Sequence, residues 1–244
     1  MESNRLAMII PFYNEALRFH TNLFLNFAES NLHIDWYFVN DGSTDSTSQV
    51  LESVKKRNPK LKITIIDLDN NLGKAQAVRK GVLLALEYNY DYIGFIDGDM
   101  QIPLAQINNL FKALNGSKVK LALSVRNFKQ HLSIFNLRSI ISYLFMHLNK
   151  KIIRADITLK DTQCGCKLFM AKEGLTLFEK PFISRWLFDL ELILRLRNSS
   201  EISTETIREV PLAGLMPSIG SKLRILQNLN LINELRQINL FYNK

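Results

Sequence analysis

The 244-residue chain holds only two cysteines, Cys164 and Cys166, a single residue apart. That excludes a disulfide framework, and with only four scattered histidines the thiols cannot complete a four-ligand zinc site. They read as reduced thiols of a cytoplasmic protein. Ten glycines and six prolines are too few for a collagen-like or linker-rich chain. Met1 to Pro11 lacks the apolar stretch of a signal peptide, and no window reaches the ~18 uninterrupted apolar residues of a membrane-spanning helix. The nearest, Leu132 to Leu148, is broken by Arg138 and His147. Three nucleotide signatures are missing too. No G-x-G-x-x-G follows the first apolar run, and Gly73-Lys74 lacks the other glycine and the hydroxyl of a P-loop. No H-x-E with C-x-x-C marks a deaminase.

What is present can bury a large core: 47% of residues are hydrophobic and 22% charged, in a length suited to one α/β domain. A net charge of +8 points to an anionic partner, whether nucleotide, phospholipid, phosphorylated substrate or nucleic acid. The charge is concentrated. From Lys118 to Lys160 nine basic residues stand against one acid, Asp156, interleaved with Ile134, Phe135, Ile140, Ile141, Tyr143, Leu144 and Phe145. Such a stretch is either a solvated face or a helix lying on an anionic membrane surface.

The first half alternates short apolar runs with helical spacing. Leu6–Phe12, Trp36–Val39, Leu61–Asp67, Tyr92–Ile96 and Val119–Ser124 read as buried strands; Glu15–Phe27, Asp45–Arg57, Gly73–Tyr88 and Leu104–Leu114 read as helices. This order predicts a mostly parallel central sheet with helices on both faces, which binds ligands beyond the carboxyl ends of its strands. Later come an amphipathic helix at Phe135–Lys151, a strand at Lys167–Met170, and helices at Leu187–Arg197 and Gly220–Leu240. With no repeat or linker, residues 1–244 form one domain with a C-terminal helical elaboration.

Each early strand ends in a polar cluster: Pro11-Phe12-Tyr13-Asn14-Glu15, Asn40-Asp41-Gly42-Ser43-Thr44-Asp45, Asn71-Leu72-Gly73-Lys74 and Asp97-Gly98-Asp99-Met100-Gln101. Asp99 and Gln101, two apart on an extended segment, share a side and can reach one ion. In this order the clusters resemble the inverting family-2 nucleotide-sugar glycosyltransferases of the GT-A fold, over residues 5 to 125. Asp161-Thr162-Gln163-Cys164-Gly165-Cys166-Lys167-Leu168-Phe169 and Arg185-Trp186-Leu187-Phe188-Asp189-Leu190-Glu191 are similar to the polyprenyl-phosphate sugar transferases, in particular the dolichyl-phosphate β-glucosyltransferase group.

The resemblance implies a nucleotide-sugar half at 5–125, an acceptor half at 126–225 and a closing helix at 226–244. It implies that Asp99 and Gln101 ligate Mg2+ or Mn2+, with Asp97 near the nucleotide or the metal. Asp41 accepts from base or ribose, and Pro11, Tyr13 and Glu15 line the nucleoside pocket. Lys74 and Lys222 are implied diphosphate contacts, Lys74 being otherwise an exposed lysine that opens a helix. Arg126, Arg138 and Ser142 fall where the family holds the lipid phosphate, and Ser142 lies one helical turn after Arg138. A surface arginine and a helix serine are the plainer readings of Arg126 and Ser142. Asp161, Asp189 and Glu191 position the sugar or the arginines, among them Arg185 on the acceptor side; a structural pair of Asp189 with Arg185 is the other reading. Two departures stand out. Met216-Pro217-Ser218-Ile219-Gly220-Ser221-Lys222 lacks the arginine that often precedes this block in the family, and no stretch matches the transmembrane anchors common in relatives.

The expected activity is hexose transfer from a UDP-sugar, or a GDP-sugar, to polyprenyl phosphate with inversion, by a protein peripheral to the inner face of the membrane. Two readings compete. One is a family-2 enzyme with a saccharide or other hydroxyl acceptor, for which Asp161 would be the base among the catalytic acids Asp97, Asp99 and Asp161. The other, a basic nucleotide- or nucleic-acid-binding module, explains the charge but not four polar clusters at strand ends, so no nucleic-acid partner is expected.

Overall fold

Leu6–Phe12 is apolar throughout, and its alternate side chains enter different cores because successive residues of a strand point to opposite faces. Ala7 and Ile9 join one cluster; Leu6, Met8, Ile10 and Phe12 join the other. A strand buried on both faces belongs in the middle of a sheet covered by helices on each side. The computed structural model has that architecture. It describes residues 5–116, 118–126, 152–153, 159–199, 202–203, 205–212, 214 and 227–243. The expected helix at 135–151 and the candidates Arg138, Ser142 and Lys222 lie outside them.

The chain runs β1 (Leu6–Phe12), α1 (Thr21–Glu29), β2 (Ile34–Asn40), α2 (Thr47–Arg57), β3 (Ile63–Asp67), α3 (Lys74–Ala85), β4 (Tyr92–Ile96), α4 (Gln106–Leu114) and β5 (Leu121–Val125). Then come β6 (Cys166–Met170), the short α5 (Gly174–Phe178), α6 (Phe188–Ser199), β7 (Ile207–Pro211) and α7 (Gln227–Tyr242). The seven-stranded sheet has the order β3-β2-β1-β4-β6-β5-β7. Only β6 runs against its neighbours, pairing antiparallel with β4 and β5. Residues of the expected acceptor half therefore sit between two strands of the expected donor half, and both halves share one sheet. Side chains of α1, α2 and α4 pack in one core, those of α3, α5, α6 and α7 in the other. Pro11 fits in this central strand because the β1–β4 ladder stops at Ile9, leaving the missing N–H without consequence.

Two elements depart from the sequence reading. The helix expected from Glu15 starts at Thr21. The amides of Asn14, Glu15 and Ala16 donate instead to Ser43 Oγ, Thr47 Oγ1 and Asp45 Oδ2, and those side-chain oxygens hold the stretch in turns. The last helix is described over Gln227–Tyr242, and residues 220–226 of the expected span lie outside the described residues. Strand β7 was not anticipated.

A candidate active site along the carboxyl rim

Strands β1 to β4 are parallel, so their carboxyl ends share one rim. Because β6 is antiparallel, its beginning meets that rim: Ile96 pairs with Cys166. β5 and β7 run parallel to each other and end there too. The rim thus gathers residues 13–18, 41–47, 69–74, 97–101, 126 and 161–165.

The loops after β1 and β2 are laced together by Asn14, whose positive φ of 51° suits asparagine. Its Oδ1 accepts from the Thr44 amide at 2.8 Å and the Asp45 amide at 3.3 Å. Thr47 Oγ1 accepts from the Glu15 amide at 2.9 Å and donates to Asp45. Asp41, 2% exposed, accepts from the amides of Leu72 at 2.8 Å and Gly73 at 2.9 Å. Burial pushes its carboxyl above the usual range, against the pull of those amides and of Arg185. Asp41 therefore fixes the loop that opens α3. Gly42, at φ 65°, lets that loop close down: a Cβ there would stand 2.6 Å from the Asn70 carbonyl carbon.

The Asp97–Gln101 cluster is flanked by cations. Lys74 Nζ pairs with Asp97 Oδ1 at 2.5 Å. Burial disfavours its charge, but the fields of Asp97, Asp189 and Asp99 outweigh that and raise the ammonium above its ordinary range. Gly165 gives the Asp97 carboxylate its space, since a Cβ at 165 would overlap it, and the Gly165 carbonyl accepts the Asp97 amide at 3.0 Å. Asp99 Oδ2 meets Arg18 Nη2 at 2.8 Å and the Gln101 amide head at 2.5 Å, and Asp99 Oδ1 accepts from the Gln101 backbone at 3.2 Å. Asp99 and Gln101 so lie side by side, the Gln101 Nε2 donating to Asp99 Oδ2, and a half-turn of that amide would present its oxygen beside the carboxylate. Among the described residues no group of three His, Cys, Asp or Glu forms a metal cage. That donor set fits Mg2+ or Mn2+, ions that take one or two protein ligands and complete their shell from phosphates and water.

Where β5 ends, Arg126 and Asp161 form a two-pronged pair, Nε to Oδ2 at 2.7 Å and Nη2 to Oδ1 at 2.9 Å. Asp161 also accepts from the amides of Arg126 and Gln163. Burial works against the Arg126 charge, but Asp161 more than offsets it and holds the guanidinium protonated. Arg185 turns to the loop before α3, with Nη2 2.9 Å from Asn71 Oδ1 and Nε against Gly73. Asp189 pairs not with Arg185 but with Lys167, Nζ to Oδ1 at 2.5 Å, and Lys167 Nζ also donates to the Cys164 carbonyl at 2.7 Å. Glu191, with no exposed surface, accepts from the amides of Ile183 and Ser184 and from the Tyr242 hydroxyl. Burial raises its carboxyl; it braces α6 against α7 rather than facing the rim. Tyr13 is exposed, and Pro11 lies against Gly98. Arg18 escaped the sequence reading, and Asn14 and Lys167, though inside its motifs, carry roles it does not assign.

The family model for glycosyl transferase family 2 matches residues 7–175. The chain belongs to that family. An uncharacterised protein of Methanocaldococcus jannaschii is 32% identical over 173 residues, covering 68% of this chain and 72% of its own. A dolichyl-phosphate β-glucosyltransferase of Drosophila melanogaster is 30% identical over 220 residues, covering 80% of this chain. The chain spans 64% of that relative's length. Among solved structures, a Pyrobaculum calidifontis mannosyltransferase with GDP-Man and Mn2+ aligns over 97% of this chain and 64% of its own, with a TM-score of 0.66 and 16% identity. The Mycobacterium tuberculosis glucosyl-3-phosphoglycerate synthase with Mn2+, UDP-glucose and phosphoglyceric acid aligns over 97% and 77%, with a TM-score of 0.62 and 16% identity. The GT-A glycosyltransferase fold of this family-2 member is thereby established.

Proposed function

We propose that this family-2 glycosyltransferase moves a hexose, glucose by preference, from UDP to a polyprenyl phosphate with inversion, at an anionic membrane surface. The observation that carries the acceptor assignment is the Arg126–Asp161 pair. Every described bond of the Asp161 carboxylate is to Arg126 or to the Gln163 amide, so it is placed to hold a guanidinium rather than to take a proton from a hydroxyl. A phosphate monoester, with a second pKa of about 6, needs no such base because it is already largely ionised near neutral pH. What it needs is positive charge held in place, and the fixed Arg126 fork supplies that. The dolichyl-phosphate relatives support the same acceptor class and the choice of glucose.

On the donor side, Asp41 sets the loop that delivers Lys74 to the diphosphate, and Glu15, Pro11 and Tyr13 border the nucleoside. Asp99 and Gln101 would hold Mg2+ or Mn2+, which neutralises charge on the departing diphosphate when bound. Asp97 keeps Lys74 charged and aimed at the same leaving group. Arg138, Ser142 and Lys222 remain proposed phosphate contacts.

Transfer assays with UDP-glucose and GDP-mannose, each against polyprenyl phosphate and the matching polyprenol, test this reading. Glucosyl transfer to the phosphate alone is expected. Equal use of the free alcohol would favour a hydroxyl acceptor, and preference for GDP-mannose would overturn the donor.

A further inference from the structure

Arg18 sits between two of the site's acids. One arm of its guanidinium, Nη1, meets Glu15 Oε1 at 3.1 Å, and the other, Nη2, meets Asp99 Oδ2 at 2.8 Å. All three side chains are largely sequestered, at 15%, 11% and 18% exposure for Arg18, Glu15 and Asp99. In such surroundings an ion pair is felt far more strongly than on an open surface. Asp99 is also the carboxylate that lies beside Gln101 at the proposed metal position.

We propose that Arg18 is the resident counter-ion of Asp99, occupying it until a divalent cation arrives with the donor diphosphate, so that metal and nucleotide bind as a single unit. The inference rests on the reading of Asp99 as a metal ligand. Three observations carry it. First, the arginine is attached to two carboxylates, so it can release Asp99 and remain neutralised on Glu15. Release then costs one half of a fork rather than a stranded buried charge. Second, the protein offers the cation few groups of its own, Asp99 and Gln101, with no three-acid cage among the described residues. A bare divalent ion must therefore displace a guanidinium while facing its positive charge. An ion carried by a diphosphate brings compensating negative charge and meets no such repulsion. Third, the second acid of the cluster is arranged alike, Asp97 with Lys74. Both carboxylates are balanced by the protein itself, and a donor that brings both phosphate and metal exchanges partners without a net charge imbalance.

The test is Mn2+ binding followed by the electron paramagnetic resonance of the free ion, with and without UDP and without turnover. The wild type is expected to bind Mn2+ weakly alone and about tenfold or more tightly with UDP, a coupling of ordinary size. Arg18→Met should bind Mn2+ alone about tenfold more tightly and lose most of the UDP coupling; Arg18→Lys should restore much of it. Circular dichroism establishes that each variant is folded. A folded Arg18→Met whose nucleotide-free Mn2+ affinity is unchanged or weaker overturns the counter-ion role. Asp99→Asn in both backgrounds separates the two inferences: if Mn2+ binding survives it, the metal assignment fails, whatever Arg18 does.

Discussion

Lys167 has no exposed surface, and its Nζ meets Asp189, the Cys164 carbonyl and the face of the Phe95 ring 5.4 Å away. Removing one partner of a buried pair strands the other. Lys167→Met should therefore cost about 3–5 kcal/mol, read as a lower urea midpoint, and Lys167→Met with Asp189→Leu should recover much of it. Asp99 is different, because it lies at a strand end outside both cores. Asp99→Asn should lower transfer by about a hundredfold or more while the thermal midpoint stays close to wild type; near-normal turnover at limiting metal would remove Asp99 from the site. The two cysteines make a third case at this scale. Cys164 and Cys166 are 1% and 0% exposed. Burial pushes the Cys164 thiol up to about 12 and raises Cys166 likewise, so neither forms thiolate at pH 8. A disulfide reagent should leave the native protein untouched and titrate two thiols once it is unfolded.

Helix α3 shows how an element overrides the intrinsic preference of a residue. Alanine usually beats glycine inside a helix by about 1 kcal/mol, but a Cβ on Gly81 would stand 2.7 Å from Ile9 Cγ2 and 3.0 Å from Val39 Cγ2. Those two residues are fully buried in β1 and β2 and cannot withdraw. Gly81→Ala should thus destabilise by about 1–3 kcal/mol, and a raised denaturation midpoint would show that α3 rides more loosely on the sheet. The strands that packing decides alone were readable: β1 and β4 are unbroken apolar runs, and their observed limits are those the sequence suggests. β7 was not readable, because Ile-Arg-Glu-Val-Pro at a sheet edge carries charge and proline that a central strand would forbid. At the site, clusters ending strands were legible because chain order places them on one rim. Arg18 was not: it lies in a stretch with helical spacing, and its partner Asp99 is 81 residues away. Lys167 was hidden inside a strand whose pairing with α6 no local pattern announces.

For the whole molecule, a net charge of +8 concentrated between Lys118 and Lys160 bears on where the enzyme works. Among the described residues no helix is long and apolar enough to cross a membrane. Reversible attachment to anionic lipid is expected, with each basic residue near the surface contributing about 1 kcal/mol and salt weakening the attraction. Flotation with anionic and neutral vesicles at low and high salt measures it. Recovery of the protein with neither kind of vesicle would end the surface model. Arg138→Ala should lower transfer to polyprenyl phosphate much more than UDP-glucose affinity; equal losses would move Arg138 away from the acceptor.

The reversed direction of β6 has a consequence for how such an enzyme diversifies. Because β5 ends and β6 begins on the same rim, the chain departs at Arg126 and returns at Asp161 to nearly the same place, where those two residues clasp each other. A change of chain length between them leaves every strand register as it is, provided Ile152, Ile153 and Leu159 keep their places in the core. On the proposed placing of the acceptor beside that stretch, descent can rewrite what is glycosylated while leaving the sugar-nucleotide machinery as it was, and a laboratory graft across that clasp would test it.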